Sequence, residues 1–410
     1  MFFTSVMRRV RLKLLNKAKN IKKYKRILAV LAIVLLTAFI EIIFNFRSII
    51  GGYDWMDVTE HMKLEEEGEY EKYVIDFTTD KALYIKQIRL VGEFASDDAY
   101  VMEVQKLNGF GKSEKVSYWD NVSTWFSESY TNLNKKVKSI KITLYKPEKT
   151  ELHSVAFSNR FEINKYRVLF VVCLLALLYA MIFEKKFVQK VEWYFLCFSL
   201  VFGLLVIIYA QPTYNAWDEE VHFQNVYSIA SGKHVKWSEA TQSIIDKKTP
   251  SCNTKAEYAE LRAVMNEKGR EVLHLETKET GVVSYSFLAY IPMAIMMKIG
   301  MLLNFSFSNM YMLGKIGNLL FYVAIMFLAI RLAKKKKLFL VFIAMMPTSI
   351  YLAASYSYDA VVFACVTLGS VLWCNEMFYS QKKYQAVNMI SSIFLFSVGC
   401  LSKAVYCLLY

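Results

Sequence analysis

The sequence predicts an α-helical polytopic membrane protein of about seven spans plus an interfacial helix, carrying an inserted extracytoplasmic β-sandwich-like domain. Three observations carry this reading. The 410 residues are 55% hydrophobic with a mean hydropathy of +0.27, more apolar sequence than one soluble core of this length needs. The apolar residues cluster in runs of roughly 18–22, the length that crosses a hydrocarbon layer of about 30 Å as a helix. One long stretch, residues 50–163, has no such run and alternates apolar with polar residues instead.

Residues 1–26 form a basic N-terminus containing Arg8, Arg9, Arg11, Lys13, Lys17, Lys19, Lys22, Lys23, Lys25 and Arg26, with no acidic residue. The run that follows, residues 27–46, lacks a small-residue cleavage site and reads as a retained anchor with its basic side in the cytoplasm. Other basic groups also abut apolar runs: Lys185–Lys186, Lys334–Lys337 and Lys382–Lys383. The net charge of +14 is thereby read as topology and contact with anionic lipids, which argues against nucleic acid as a partner.

Period-2 patches at Tyr73–Phe77, Tyr84–Val91, Tyr100–Leu107, Val137–Tyr145 and Val155–Ile163 predict strands in the domain of residues 50–163. From residue 166 to 410 the chain returns to the membrane. Tyr166–Phe183 runs inward, Trp193–Ala210 outward, and the polar loop 211–281 follows. If Val282–Leu303 and Met310–Leu332 both crossed, Arg331 and Lys334–Lys337 would lie outside, against the positive-inside bias. Val282–Leu303, with Pro292 and Lys298, is therefore expected to lie at the interface or re-enter. Leu338–Ala354, Asp359–Cys374 and Ala386–Leu401 complete the spans. The chain stops at Tyr410 inside an apolar stretch, as a truncated chain or a short member of a longer family would.

Six cysteines lie in apolar segments, where they act as small hydrophobes, and Cys252 stands alone in a polar loop. Neither they nor His61, His153, His234 and His274 show metal-ligand spacing. The chemistry concentrates in the acids. Asp218-Glu219-Glu220-Val221-His222 follows the third span, and Asp359 follows the fifth, so this topology puts both on the outer surface. A helix would place Asp218 and His222 on one face. Carboxylates at a membrane boundary cost desolvation energy unless paired or wet, which makes them functional candidates; helix capping is the plainer alternative. A carboxylate there could take a proton from an acceptor hydroxyl while a phosphate-linked sugar departs. Lys403, Lys298 and Lys315 are the cations available to a leaving phosphate, and a divalent metal could serve the same end.

Three segments carry a family resemblance. Pro212-x5-Asp218-Glu219-x2-His222-Phe223 with Ser231-Gly232, then Tyr290-Ile291-Pro292 … Gly300 with Gly314-Lys315-Ile316-Gly317-Asn318, then Met346-Pro347 … Ala354-Ser355-x3-Asp359-Ala360, occur in that order. Together they resemble the bacterial DUF2142 membrane proteins, and through them the GT-C superfamily of membrane glycosyltransferases. The departures are Asn215-Ala216-Trp217 between proline and acid, Glu220 after the acidic pair, and a β-domain ahead of the motif.

The resemblance implies transfer of a sugar from a polyprenyl-phosphate carrier to a cell-envelope glycan or glycolipid at the bacterial cytoplasmic membrane. It implies Asp218 as the catalytic base, with Glu219 and Asp359 in support, or Asp218 and Asp359 on a divalent metal. His222, Lys315 and Lys403 are the expected substrate-binding residues. Two other classes compete: a transporter or flippase for an envelope lipid or sugar, for which Glu41 inside the first span would line a route, and a non-enzymatic accessory protein that presents the β-domain.

Overall fold

The structure, a computed structural model, describes residues 24, 27–68, 70–94, 99–108, 111–122, 126–146, 149–184, 187–209, 216, 218–232, 235–237, 252, 254–269, 272–274, 287–379 and 386–402. They form two compact units. One runs to Ile50 and includes Phe161–Phe187; the other combines Gly51–Arg160 with the chain from Val188 onward. Most of the basic N-terminus lies outside the described residues, as do Lys185, Lys186, Pro212, Trp217, Lys382, Lys383 and Lys403.

In the first unit, α1 (Ile27–Phe44) continues through Asn45 into the short α2 (Phe46–Gly51), and α3 (Lys165–Phe183) follows later in the chain. Asn164 caps α3, its side chain accepting from the N–H groups of Tyr166 and Arg167. Glu41 is buried, and its carboxylate receives a two-pronged Arg167 guanidinium at 2.5 and 2.7 Å. That guanidinium also lies over the Phe44 ring at 4.3 Å. A carboxylate in an apolar helix is costly alone, and the planar fork of arginine is the partner that best offsets it.

The second unit begins with an antiparallel sheet of β1 (Met56–Asp57), β2 (Met62–Glu67), β3 (Tyr70–Glu93), β4 (Ala99–Leu107), β5 (Ser113–Asn121), β6 (Glu128–Lys146) and β7 (Glu151–Ser158). The strand order is β1-β7-β3-β6-β4-β5, with β2 also paired to β3. The expected patches fall in strands, and the strands belong to one continuous hydrogen-bonded antiparallel sheet. Tyr73–Phe77 and Tyr84–Val91 are the two halves of a single 24-residue strand. β3 and β6 shift register between Thr78 and Leu83 and again between Ile85 and Gln87. The extra residues reverse which side chains face inward. Ile75 and Ile85 are buried before the second shift, and Ile88 and Leu90 after it. Both halves thereby close on one core with Tyr100, Met102, Ile140, Ile142, Val155 and Phe157.

The helical part contains α4 (Val191–Tyr209), α5 (Glu219–Ser231), a short ribbon of β8 (Val235–Trp237) and β9 (Val272–His274) around α6 (Lys255–Lys268), then α7 (Ile291–Leu302) after a 3-10 turn at Phe287–Tyr290. It continues with α8 (Phe307–Leu332), α9 (Lys337–Ala344), α10 (Pro347–Ala353), α11 (Asp359–Tyr379) and α12 (Ala386–Ser402). Among the described residues five helices are long and apolar enough to cross a bilayer: α1, α3, α4, α8 and α11.

The segment expected to stay out of the crossing pattern forms a short helix. At 12 residues α7 is about 18 Å long, short of a bilayer core. Gly317 of α8 sits against the Pro292 carbonyl, while Gly300 sits against Met310. So α7 runs antiparallel to the first turns of α8, as a helical hairpin.

The expected span Leu338–Ala354 is not one helix but two, α9 and α10, broken at Met345-Met346. Pro347 begins α10 and has no N–H to continue the ladder. Hydroxyls take up the freed carbonyls: Ser349 donates to Ile343 at 3.0 Å and Tyr322 to Ala344 at 2.9 Å. α12 is 17 residues long and runs antiparallel to α11, with Gly369 beside Ser392 and Gly399 beside Val362 and Val366.

The two ends of the bundle differ in chemistry. At one end Lys337 approaches Glu192 of α4 at 3.9 Å, and Lys334 bonds to Asn375 and Tyr379 of α11. The other end gathers the beginnings of α5, α8 and α11.

Candidate functional site

α5 buries Glu219, His222, Phe223, Val226 and Ala230, one face at helical spacing, and ends at Gly232 with φ +71°. That left-handed cap suits a residue without a Cβ. Asp218 stands at its N-cap with φ 58° and is exposed.

Beside it, Glu219 is fully buried. Its Oε1 lies 2.8 Å from the Lys315 Nζ and accepts the Tyr356 N–H at 3.0 Å, while Oε2 accepts the Ala216 N–H at 3.3 Å. Lys315 is itself 1% exposed, and its ammonium sits 5.1 Å over the Tyr311 ring. Removing one partner of such a pair would strand the other charge, so the pair fixes α5, α8 and the segment before α11 in one arrangement.

α8 supplies the matching face. Tyr311, Gly314, Lys315 and Asn318 follow i, i+3, i+4, i+7 spacing. Tyr356 donates to the Tyr311 carbonyl at 2.6 Å across Gly314, where a Cβ would come within 2.1 Å of the phenolic oxygen. Burial and the nearby Glu219 carboxylate hold the Tyr356 phenol well above its ordinary pKa, so it remains a donor. The Asn318 amide donates to the carbonyls of Leu352, Ser355 and Ser357 at 3.2, 2.9 and 3.0 Å. Asp359 opens α11, half-buried, with its N–H bonded to the Ser357 hydroxyl at 3.1 Å.

His222 lies one turn into α5. Its Nδ1 is 2.9 Å from the Tyr290 hydroxyl, and its ring meets Tyr358 edge-on at a centroid distance of 5.1 Å. Tyr290 and Tyr358 are edge-on to each other at 6.2 Å. The resulting shell joins the 3-10 turn before α7 to the start of α11.

Three of the expected site residues lie in the interior. Glu219 and Lys315 are paired with each other there. His222 is enclosed by tyrosines and braces the site from within. Of the acids expected to be catalytic, Asp218 is exposed and Asp359 half-buried. Lys403 lies outside the described residues. Among the described residues no group of three or more His, Cys, Asp or Glu side chains is placed to hold a metal ion.

Tyr290, Tyr311, Asn318, Tyr356 and Tyr358 had no role assigned from sequence. The helical spacing of Tyr311, Gly314, Lys315 and Asn318 was a readable signal for α8. The tyrosine shell had none, because its members are far apart in the chain.

The segments on which the resemblance rests meet here in space: Glu219 reaches Lys315 and Tyr356, His222 reaches Tyr290, and Asn318 reaches the residues before Asp359. No curated protein matches the chain. The family described as a predicted membrane protein (DUF2142) matches residues 197–410, which include every one of these contacts, and the chain belongs to that family.

Proposed function

We propose that the protein is a membrane glycosyltransferase that moves a sugar from a polyprenyl-phosphate carrier to a cell-envelope glycan, with Asp218 as the base. The observation that carries this reading is the exposed Asp218 and the half-buried Asp359 at one end of the bundle, each beside a segment locked by Glu219. In the proposed reaction the Asp218 carboxylate takes the acceptor hydroxyl proton as that oxygen bonds to the anomeric carbon. The bond from that carbon to phosphate breaks, and the polyprenyl phosphate leaves with the electron pair. Asp218 and Asp359 are the residues that would hold a divalent ion, which would supply positive charge to the leaving group.

The proposed orientation follows from charge. The basic end, with Arg331 and Lys334–Lys337, faces the cytoplasm, and α4, α8, the broken α9–α10 pair, α11 and α12 give the crossings that bring Asp218 and Asp359 outside. With α1 and α3 the chain crosses seven times, and its N-terminus is cytoplasmic. The transport reading loses its main residue, since Glu41 is engaged by Arg167.

The test is sugar transfer in purified membranes given a panel of polyprenyl-phosphate sugars and envelope glycan acceptors. Transfer above that of membranes lacking the protein is the expected result. No transfer from any donor in the panel would overturn the proposal.

A further inference from the structure

Among the described residues, the strands of the large sheet leave four large apolar side chains exposed: Leu64, Tyr70, Trp119 and Tyr145. One exposed ring on a strand is ordinary. Three of these four share one face of the sheet and stand in line.

Alternation and register fix that face. Residues paired across neighbouring strands point to the same side, as do residues two apart along one strand. Trp119 of β5 pairs with Val101 of β4, Val101 with Thr143 of β6, and Thr143 with Val74 of β3. Tyr145 lies two residues beyond Thr143 and pairs with Lys72, and Tyr70 lies two residues before Lys72. The register shifts of β3, β4 and β6 fall outside this stretch. The residues between, Tyr100, Leu144 and Ile75, point the other way into the core.

Trp119, Tyr145 and Tyr70 are 71%, 49% and 70% exposed. With strands about 4.8 Å apart and about 3.4 Å per residue, the backbone positions of Trp119 and Tyr145 are roughly 12 Å apart, and those of Tyr145 and Tyr70 roughly 8 Å, on one diagonal. Between the first two, β4 presents only the short side chains of Ala99 and Val101, so a flat ligand can reach both rings. Ser117 and Asn121 beside Trp119, and Thr143 beside Tyr145, put hydroxyl and amide groups on the same side.

The charges of this face cancel. Lys63, Lys72, Lys115 and Lys141 are matched by Glu65, Glu67, Asp76 and Glu103. Lys72 bonds to Glu67 at 2.9 Å and lies 3.8 Å from Glu65, and Lys141 is the cross-strand neighbour of both Asp76 and Glu103. A surface so balanced has no long-range pull on anionic lipid or on a charged polymer. What it offers is a row of flat rings with hydrogen-bonding groups beside them. A neutral sugar chain matches both features: the weakly positive C–H face of each unit stacks on an aromatic ring, and the hydroxyls at its rim take hydrogen bonds.

We infer that this face binds a neutral oligosaccharide chain laid along Trp119, Tyr145 and Tyr70. The site is separate from the transfer proposed at Asp218 and works without turnover, so either can fail alone.

The full-length protein, in a detergent without a sugar headgroup, would be titrated by calorimetry with maltohexaose, cellohexaose and chitohexaose. At least one is expected to bind. Trp119→Ala, Tyr145→Ala and Tyr70→Ala, all exposed changes, are each expected to weaken it roughly three- to tenfold, while Tyr145→Phe, which keeps the ring, binds as the parent does. The inference is overturned if none of the three binds at millimolar concentration. It is also overturned if Tyr70→Ala and Tyr145→Ala both bind as the parent does, or if Tyr145→Phe loses as much as Tyr145→Ala.

Discussion

Breaking the Glu219–Lys315 pair from one side should cost far more than removing it altogether. The two charges are 2.8 Å apart and 0% and 1% exposed, so neither can turn to water. Lys315→Met leaves a buried carboxylate without its cation, beside the N–H groups of Tyr356 and Ala216; Glu219→Gln leaves an ammonium facing an amide. Each single change is expected to destabilise by about 3–5 kcal/mol. The double variant Glu219→Gln/Lys315→Met keeps the volume and removes both desolvation costs, so it should lose only about 1–2 kcal/mol. The coupling should therefore be about 3 kcal/mol or more. Reversible unfolding by sodium dodecyl sulfate in mixed micelles, followed by tryptophan fluorescence, measures all four corners of the cycle. Single variants that each lose under about 1 kcal/mol, or losses that simply add, would refute the pair as the brace of the site.

Two further predictions test the surroundings. Gly314→Ala puts a methyl within 2.1 Å of the Tyr356 hydroxyl and should cost about 1–3 kcal/mol, read in the same unfolding assay; no loss would show that α8 and the segment before α11 are not in close contact. Burial, and behind it the Glu257 carboxylate, raise the Cys252 thiol to about 12. A raised thiol pKa means that the reactive thiolate forms only as pH climbs toward that value. At pH 8 its fraction is roughly 10⁻⁴, and Cys252 should alkylate about 10³-fold more slowly than a free cysteine, with the rate still rising above pH 9. Peptide mass spectrometry after timed iodoacetamide treatment checks this, and labelling as fast as a free thiol would contradict it.

Much of the architecture could be read from sequence because membranes constrain length and charge so tightly. The alternation in residues 50–163 marked real strands, and the apolar runs at Tyr166–Phe183, Met310–Leu332 and Asp359–Cys374 marked long apolar helices. The break at Met345-Met346 was missed because hydropathy averages across Pro347, although that proline carries the missing N–H that ends the ladder. The joining of two expected strands into the single long β3 was missed for a similar reason. Period-2 patterning tells which residues face a core, but the shifts that let β3 and β6 serve both halves of one sheet depend on pairing partners 45 or more residues away.

At the site, the acids were visible as types and their roles were not. Asp218 and Glu219 are adjacent and chemically alike, yet the left-handed turn at Asp218 leaves one exposed and sends the other inside. Lys315 looked like a phosphate ligand because a lone lysine near a helix start reads as accessible. Only the fold shows that its partner comes from 96 residues earlier in the chain.

The central claim is that Asp218 removes the acceptor proton, and it is tested most directly by transfer from a polyprenyl-phosphate sugar in membranes containing the parent or Asp218→Asn at matched amounts. Since Asp218 is exposed and its neighbour Glu219 carries the structural contacts, the variant should fold and unfold as the parent does. The account predicts that transfer falls roughly 10²–10⁴-fold with carrier binding retained. Equal transfer by the two proteins would contradict it.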